Sequence, residues 1–223
     1  MTWLVRALPS VVLIAIVLAG VVTFAPSSLI ACRRNANESA AIVTLKAVHH
    51  AQTQLRERGT IDSDGDGVGE FGTLAELSAI VGLRDGSGLL DPPLLASWFD
   101  SRPAGVVIRS GYVFQMWLPA AANDGFVPEQ PGGGVEPAAV DPDRSETIWR
   151  CYAWPLSREA GKRVFAIDQS GEVLGARNHR HWDGTWRRPT PDTAALSSSE
   201  LLRLTWLSSG EMDARGTTWV LVN

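Results

Sequence analysis

Asn35-Ala36-Asn37-Glu38-Ser39-Ala40-Ala41-Ile42-Val43-Thr44-Leu45-Lys46-Ala47-Val48-His49-His50-Ala51-Gln52-Thr53-Gln54-Leu55-Arg56-Glu57-Arg58 is the stretch on which the fold turns. Ile42, Leu45, Val48, Ala51 and Leu55 recur every three or four residues, while Glu38, Lys46, Gln52 and Arg56 fall elsewhere around the circle. That spacing predicts an amphipathic helix with one face committed to a core. No breaker interrupts it before Gly59. Upstream, Ala7 to Cys32 is a run of 26 residues without a charge, and its centre from Val11 to Val22 is almost wholly aliphatic. Such a run is long enough to cross a bilayer as a helix. Pro26 lies between the two halves and is expected to kink the helix rather than end it. The chain therefore divides into a flank at 1–6, a transmembrane helix at 7–25, its amphipathic continuation at 26–58 and a globular domain at 59–223.

Charge follows the same division. The 223 residues are 45% hydrophobic and 20% charged, a balance that excludes a disordered or collagen-like chain. All 24 acidic residues and 19 of the 20 basic ones lie after Cys32, so that part carries 19 − 24 = −5, while the first 32 residues hold only Arg6. The basic residues are scattered, which argues against nucleic-acid binding. Two other fates for the N-terminal run stay open. It has the outline of a secretory signal, although Pro26 follows the best cleavage end at Thr23-Phe24-Ala25. It also ends in Leu29-Ile30-Ala31-Cys32, a lipobox-like sequence that would make Cys32 an acylation site. The retained anchor is the leading expectation. Arg6 on one side and Arg33-Arg34 on the other leave orientation undecided by charge.

Downstream, Thr73 to Gly82 reads as a short helix closed by its glycine. Val106–Ile108 and Tyr112–Leu118 read as strands around a Ser110-Gly111 turn, and Thr147–Trp154, Arg163–Ile167, Glu172–Leu174 and Thr217–Val222 as further strands. Residues 120–146, rich in Ala, Pro, Gly and Asp, read as an irregular exposed insertion. Ser197–Leu207 reads as a short helix. The class is α+β: a long N-terminal helix packed on an antiparallel sheet.

This order of elements resembles type IV pilins and the pseudopilins of type II secretion. Asn37-Glu38-Ser39-Ala40-Ala41-Ile42, Leu45 and Ala51-Gln52 are similar to the Asn-Glu-Ala-Ala-Ala and Ala-Gln pattern in the helix of many pilin-like proteins. Pro26 falls near their membrane-exit proline. Asp64–Gly72 with Leu74, Glu76 and Leu77, then Ser110–Phe114, Tyr152–Pro155 and Phe165–Val173, are similar to successive blocks of envelope proteins related to the major pseudopilin. One feature departs from the pattern. Residues 1–9 hold neither the glycine of the prepilin cleavage site nor the glutamate that enters the apolar helix. The resemblance thus implies a permanently anchored, single-pass protein of the inner membrane with its C-terminal domain outside the cytoplasm. Its partners would be the bilayer and, laterally, further copies or other pilin-like subunits.

Asp62-Ser63-Asp64-Gly65-Asp66-Gly67-Val68-Gly69-Glu70 is the sharpest candidate site. Carboxylates at alternate positions followed by glycine can bend around a hard cation. Asp62, Asp64, Asp66, the Val68 carbonyl and Glu70 would supply the oxygens for Ca2+, as in the first half of an EF-hand loop. Thr73 stands where the bidentate glutamate of that loop belongs, so a solvated Asp-Gly turn capping the next helix is the rival. Pseudopilins bind calcium, but their ligands do not carry over here residue by residue. His49-His50 are adjacent on a helix and cannot chelate together, and His179-Arg180-His181 with Asp183 lacks a third ligand at metal spacing. Trp182, Trp186, Trp206 and Trp219 suggest either a carbohydrate platform or the burial of a sheet edge. With no nucleophile elbow, phosphate loop, dinucleotide fingerprint or zinc-protease helix, the expectation is a structural or interaction protein and not an enzyme. The alternative is an envelope lipoprotein that binds calcium or carbohydrate.

Overall fold

The computed structural model describes residues 2–179, 182–190 and 217–222, and the side chains among them from Ser28 onward. Helix α1 runs unbroken from Thr2 to Glu57, through Pro26. Among the described residues no helix is both long and apolar enough to cross a membrane; the apolar run 7–25 lies outside the described side chains. From Ser28 to Ala36 every residue but Arg34 is exposed. Arg34 donates from Nε to the Glu159 carbonyl at 3.3 Å, and burial against the body sets in at Asn37 and Glu38.

Seven strands follow: β1 Val107–Arg109, β2 Tyr112–Pro119, β3 Phe126–Pro128, β4 Arg150–Pro155, β5 Arg163–Asp168, β6 Leu174–Arg177 and β7 Val220–Leu221. They form one antiparallel sheet in the order β1-β2-β4-β5-β6-β7, with β3 paired beside β1 on β2. The α+β class is thus observed. Ser110 and Gly111 both take positive φ, 46° and 74°, which is the geometry of a two-residue hairpin turn and fixes the register of Arg109 opposite Tyr112.

Strand alternation feeds two cores. Tyr112, Phe114, Met116, Cys151, Ala153, Phe165 and Ile167 meet Ala41, Leu45, Val48, Ala51 and Leu55 of α1. The other face sends Val113, Tyr152, Trp154, Val164 and Ala166 against Trp182 and Trp219. Two of the C-terminal tryptophans therefore bury the second face of the sheet, while Trp186 is exposed. Trp206 and the predicted helix 197–207 lie outside the described residues.

The helix differs from expectation on its polar side. Glu38 and Gln52 are buried, and each clamps the backbone of the body. Glu38 accepts hydrogen bonds from the Lys162 and Arg163 N–H groups and pairs with the Arg163 guanidinium at 2.7 Å. Asn37 donates to the Ala160 carbonyl. Gln52 closes both sides of Gly72, donating to its carbonyl at 2.6 Å and accepting from its N–H at 2.9 Å. A side chain at residue 72 would collide with Leu55, its Cβ lying 2.8 Å from Leu55 Cδ2.

Helix α2 is only Leu74–Leu77. Thr73 and Glu76 form a reciprocal capping box. The helix ends at Ser78 and not at Gly82, because Ala79 turns left-handed at φ 53° and the Ala79 and Ile80 N–H groups fold back on the Glu76 and Ala75 carbonyls. Residues 120–146 are exposed only in part. They contribute β3, the buried Val140 and helix α3, Pro142–Ser145. They also send Glu129 beneath α2, where it accepts hydrogen bonds from the Leu74 and Ala75 N–H groups, the Gly134 N–H and the Ser101 hydroxyl. Burial pushes the Glu129 carboxyl up to about 7, against the downward pull of those donors.

Two outcomes are expected. Gln52→Leu strands the N–H and carbonyl of Gly72 in the core, at roughly 1–3 kcal/mol for each group. A urea midpoint unchanged by this substitution would remove the clamp from the account. Glu129 is protonated in the folded chain and ionised in the unfolded chain between its ordinary value and about 7. Its contribution is therefore full at acid pH and is lost as pH rises through that window, on the order of 3 kcal/mol in all. Stability measured from pH 5 to 7.5 should fall for the wild type, and Glu129→Gln should remove that part of the slope.

Candidate functional site

The acidic loop 62–70 leaves the C-terminal end of α1, where Gly69 packs so closely on the Arg56 carbonyl that a Cβ would lie 2.1 Å from it. Its aspartates do different things. Asp62 spends both oxygens inside the loop, accepting from the Gly65 N–H at 2.9 Å and the Gly67 N–H at 3.1 Å. Asp64 and Asp66 remain exposed, each accepting one loop N–H, from Asp66 and Val68 respectively. These short Asx turns curl the loop and leave the Asp64 and Asp66 carboxylates outside it.

Glu70 turns the other way. It is buried, accepts from the Ser63 N–H at 2.5 Å and from the Ser145 hydroxyl at 2.8 Å, and pairs with Arg84 at 2.6 Å. Burial raises the pKa of this carboxyl, but the Arg84 charge and those donors outweigh it and hold the group below its usual range. Glu70 thus fastens the loop to the body and is no ligand to an exposed cation. The Phe71 N–H adds a bond to the Ser145 carbonyl at 2.8 Å.

That fastening creates the site. Ser145 ends α3, so drawing it onto Glu70, 75 residues earlier, carries Asp143 and Glu146 to the loop. One carboxylate oxygen from each of Asp64, Asp66, Asp143 and Glu146 lies within 4.8 Å of all the others, a group able to hold a metal ion. Asp141 caps α3 through the Arg144 N–H and Pro142 begins it, which sets Asp143 and Glu146 three residues apart on adjoining turns. Arg144 points away and donates to the carbonyls of Ala120, Asn123 and Asp124. The four acids face one another without it.

The charges register this crowding. Asp64 is lowered by its bond from the Asp66 N–H, but desolvation and the charges of Asp66 and Asp143 bring it above the ordinary carboxylate range. Glu146 is raised by desolvation and by Asp66, Asp64 and Asp143. All four groups offer hard oxygen donors, two from each segment, which suits Ca2+ or a similar divalent ion.

Of the four carboxylates singled out by sequence, the structure brings together Asp64 and Asp66 and leaves Asp62 and Glu70 out of the group, while the Val68 carbonyl stays a proposed ligand. Asp143 and Glu146 were missed. The Asp141-Pro142 helix start was the available signal, but nothing in the sequence says which loop that helix meets. Cys32 is exposed on α1, and Cys151 is buried in the sheet with its thiol pushed above the ordinary range by burial. His179 is exposed, while Arg180 and His181 lie outside the described residues. The chain matches no known protein-family profile, no curated protein and no solved structure.

Cation binding at this cluster predicts a particular pattern of melting temperatures. Calcium should raise the melting temperature of the wild type but leave Asp64→Asn and Asp143→Asn unmoved, because binding to the folded state alone stabilises it. Glu70→Gln should lower it in chelator as well, and by more in calcium, because the fastening that assembles the site is lost. If Asp143→Asn keeps the full calcium shift, the two-segment site is wrong.

Proposed function

We propose that this chain is a membrane-anchored structural or interaction protein of the bacterial cell envelope, built on the plan of pilins and pseudopilins. The observation that carries the reading is the division of α1. Its second part is bound to an antiparallel sheet by five buried apolar residues and by Asn37, Glu38 and Gln52. From Ser28 to Ala36 that helix is exposed except at Arg34, which donates to the Glu159 carbonyl. Asn37-Glu38 and Ala51-Gln52 were singled out by resemblance, and these polar residues make the clamps.

In this reading residues 7–25 cross the inner membrane once and the body lies outside the cytoplasm. The apolar helix offers a lateral surface to further copies or to other pilin-like subunits. In this reading the anchor is retained. Calcium bound by Asp64, Asp66, Asp143 and Glu146 would brace the 62–70 loop against α3, which suits a protein working outside the cytoplasm. The reading assigns the chain no catalysis. A second reading rests on the exposure of Cys32 on the protruding part of α1: a lipoprotein acylated there, presenting the same body as a calcium- or carbohydrate-binding module.

Intact mass and alkaline extraction of the protein expressed in a Gram-negative host decide between them. The anchored reading expects a full-length species that stays in the membrane pellet at high pH. A mature form beginning at an acylated Cys32 would establish the lipoprotein, and an unmodified soluble form would overturn both.

A further inference from the structure

A cavity of about 430 Å3 opens where α1 first meets the body. Among the described residues, Arg34, Lys162, Arg163, Arg177 and His179 line it, and Glu38 is the one acid that does. The Glu38 carboxylate is already consumed by the Lys162 and Arg163 N–H groups and the Arg163 guanidinium. Arg34 uses only Nε, on the Glu159 carbonyl, which leaves its outer nitrogens for another partner. Among the described residues, no carboxylate lies within ion-pair distance of Lys162 or Arg177. A second cavity of about 440 Å3 shares Arg163, Arg177 and His179 and continues along β6 to Val220.

A concave site of this size, lined by three cations that have no ion-paired carboxylate among the described residues and by one described acid already spent, suits an anion. Two guanidinium forks and an ammonium match the several oxygens of a phosphate better than the two of a carboxylate. The cavity's place on α1 bears on the source of that phosphate. Ala31, its first lining residue, is six residues beyond the end of the apolar run 7–25, which is about 9 Å along a helix. The headgroup layer of a bilayer is about 5–8 Å deep on each side. Leu29 and Ile30, two residues and one residue nearer the apolar run than Ala31, are exposed hydrophobic residues. An apolar turn beside a cationic cavity is the complement of acyl chain beside phosphate.

We infer that this cavity binds the phosphate group of an anionic ligand through Arg34, Lys162 and Arg177, with a membrane lipid headgroup as its source. The lipid source rests on the anchored reading above. The phosphate chemistry does not. Held there, a headgroup would fix the angle at which the body leaves the membrane, because the cavity joins α1 to β5 and β6.

The test uses the full chain in a neutral detergent, titrated separately with dioctanoyl phosphatidylglycerol, dioctanoyl phosphatidylcholine and inorganic phosphate, with binding read from the melting temperature. The expected result is at least tenfold tighter binding of the phosphatidylglycerol than of the other two, and a tenfold or greater loss in Lys162→Gln with Arg177→Gln. Removing the same charge elsewhere, by Arg58→Gln with Arg187→Gln, should leave the affinity unchanged. Either single substitution in the cavity should show a smaller loss, which keeps the test open if the pair unfolds. Inorganic phosphate binding as tightly as the lipid, with the same loss in the cavity variants, would uphold the phosphate site and replace the lipid as its source. Equal losses in cavity and control variants, or none, would overturn the proposal. A soluble chain that still binds phosphate through these residues would remove the anchor and keep the site. A full-length, alkali-resistant chain indifferent to all three ligands would keep the anchor and remove the site.

Discussion

Arg84 is buried between two carboxylates, Glu70 at 2.6 Å and Glu76 at 3.3 Å, with all three side chains at most 2% exposed. Two acids against one guanidinium leave an excess negative charge in a dry setting. The Ser63, Thr73 and Arg84 N–H groups and the Ser145 hydroxyl all donate into it. Arg84 also donates to the Phe71 carbonyl at 2.8 Å. An uncompensated charge in such a place costs about 3–5 kcal/mol, so the members are present together or not at all. Through them the 62–70 loop, α2 and α3 become one unit, and the acidic cluster exists because that unit has only one arrangement. Arg84 itself supplies nothing to the cluster.

The same unit meets α1 at Gly72, where Gln52 bonds both sides of the peptide. Glu38 does the equivalent for the start of β5. Apolar packing of Leu45, Val48 and Leu55 supplies most of the attraction between helix and sheet, but it is tolerant of sliding. Hydrogen bonds to named backbone groups at two points fourteen residues apart are not. They set the depth at which the helix sits, and so determine how much of α1 stands beyond the body.

Periodicity made the helix legible, through the three- and four-residue spacing of the apolar face of α1. Tyr112–Leu118 and Arg163–Ile167 were legible as strands from their short aromatic and β-branched runs between turn residues. Periodicity failed where polar residues do inward work. Glu38 and Gln52 read as solvent-facing because periodicity sorts by polarity, and a buried polar residue with backbone partners contradicts that sorting. Residues 120–146 read as loop because Ala, Pro, Gly and Asp dominate them, and no local pattern shows that Glu129 finds its partners at the first N–H groups of α2, far back in the sequence. The candidate site was half legible. Asp64 and Asp66 are local, whereas Asp143 and Glu146 arrive through Ser145, a contact that no pattern within either segment encodes. The resemblance to pilins singled out Asn37-Glu38 and Gln52, which composition alone would have left on the surface.

Glu38, beside the basic cavity, and Glu57, next to the acidic loop, are nineteen residues apart on α1, about 28 Å at the rise of an α-helix. The body thus carries a cationic end nearest the apolar run and an anionic end farthest from it. The helix dipole runs in the same sense, with its negative end toward the loop, where Arg56 offsets it. At physiological salt, fields decay over about 8 Å, so neither end senses the charge state of the other through solvent. A cation at Asp64 and Asp143 and an anion at Lys162 and Arg177 are therefore electrostatically independent. Any coupling between them has to pass through packed structure, and the available route is α1 itself. It is held at Gln52 by the segment that carries the acidic loop, and at Glu38 by the strand that lines the basic cavity.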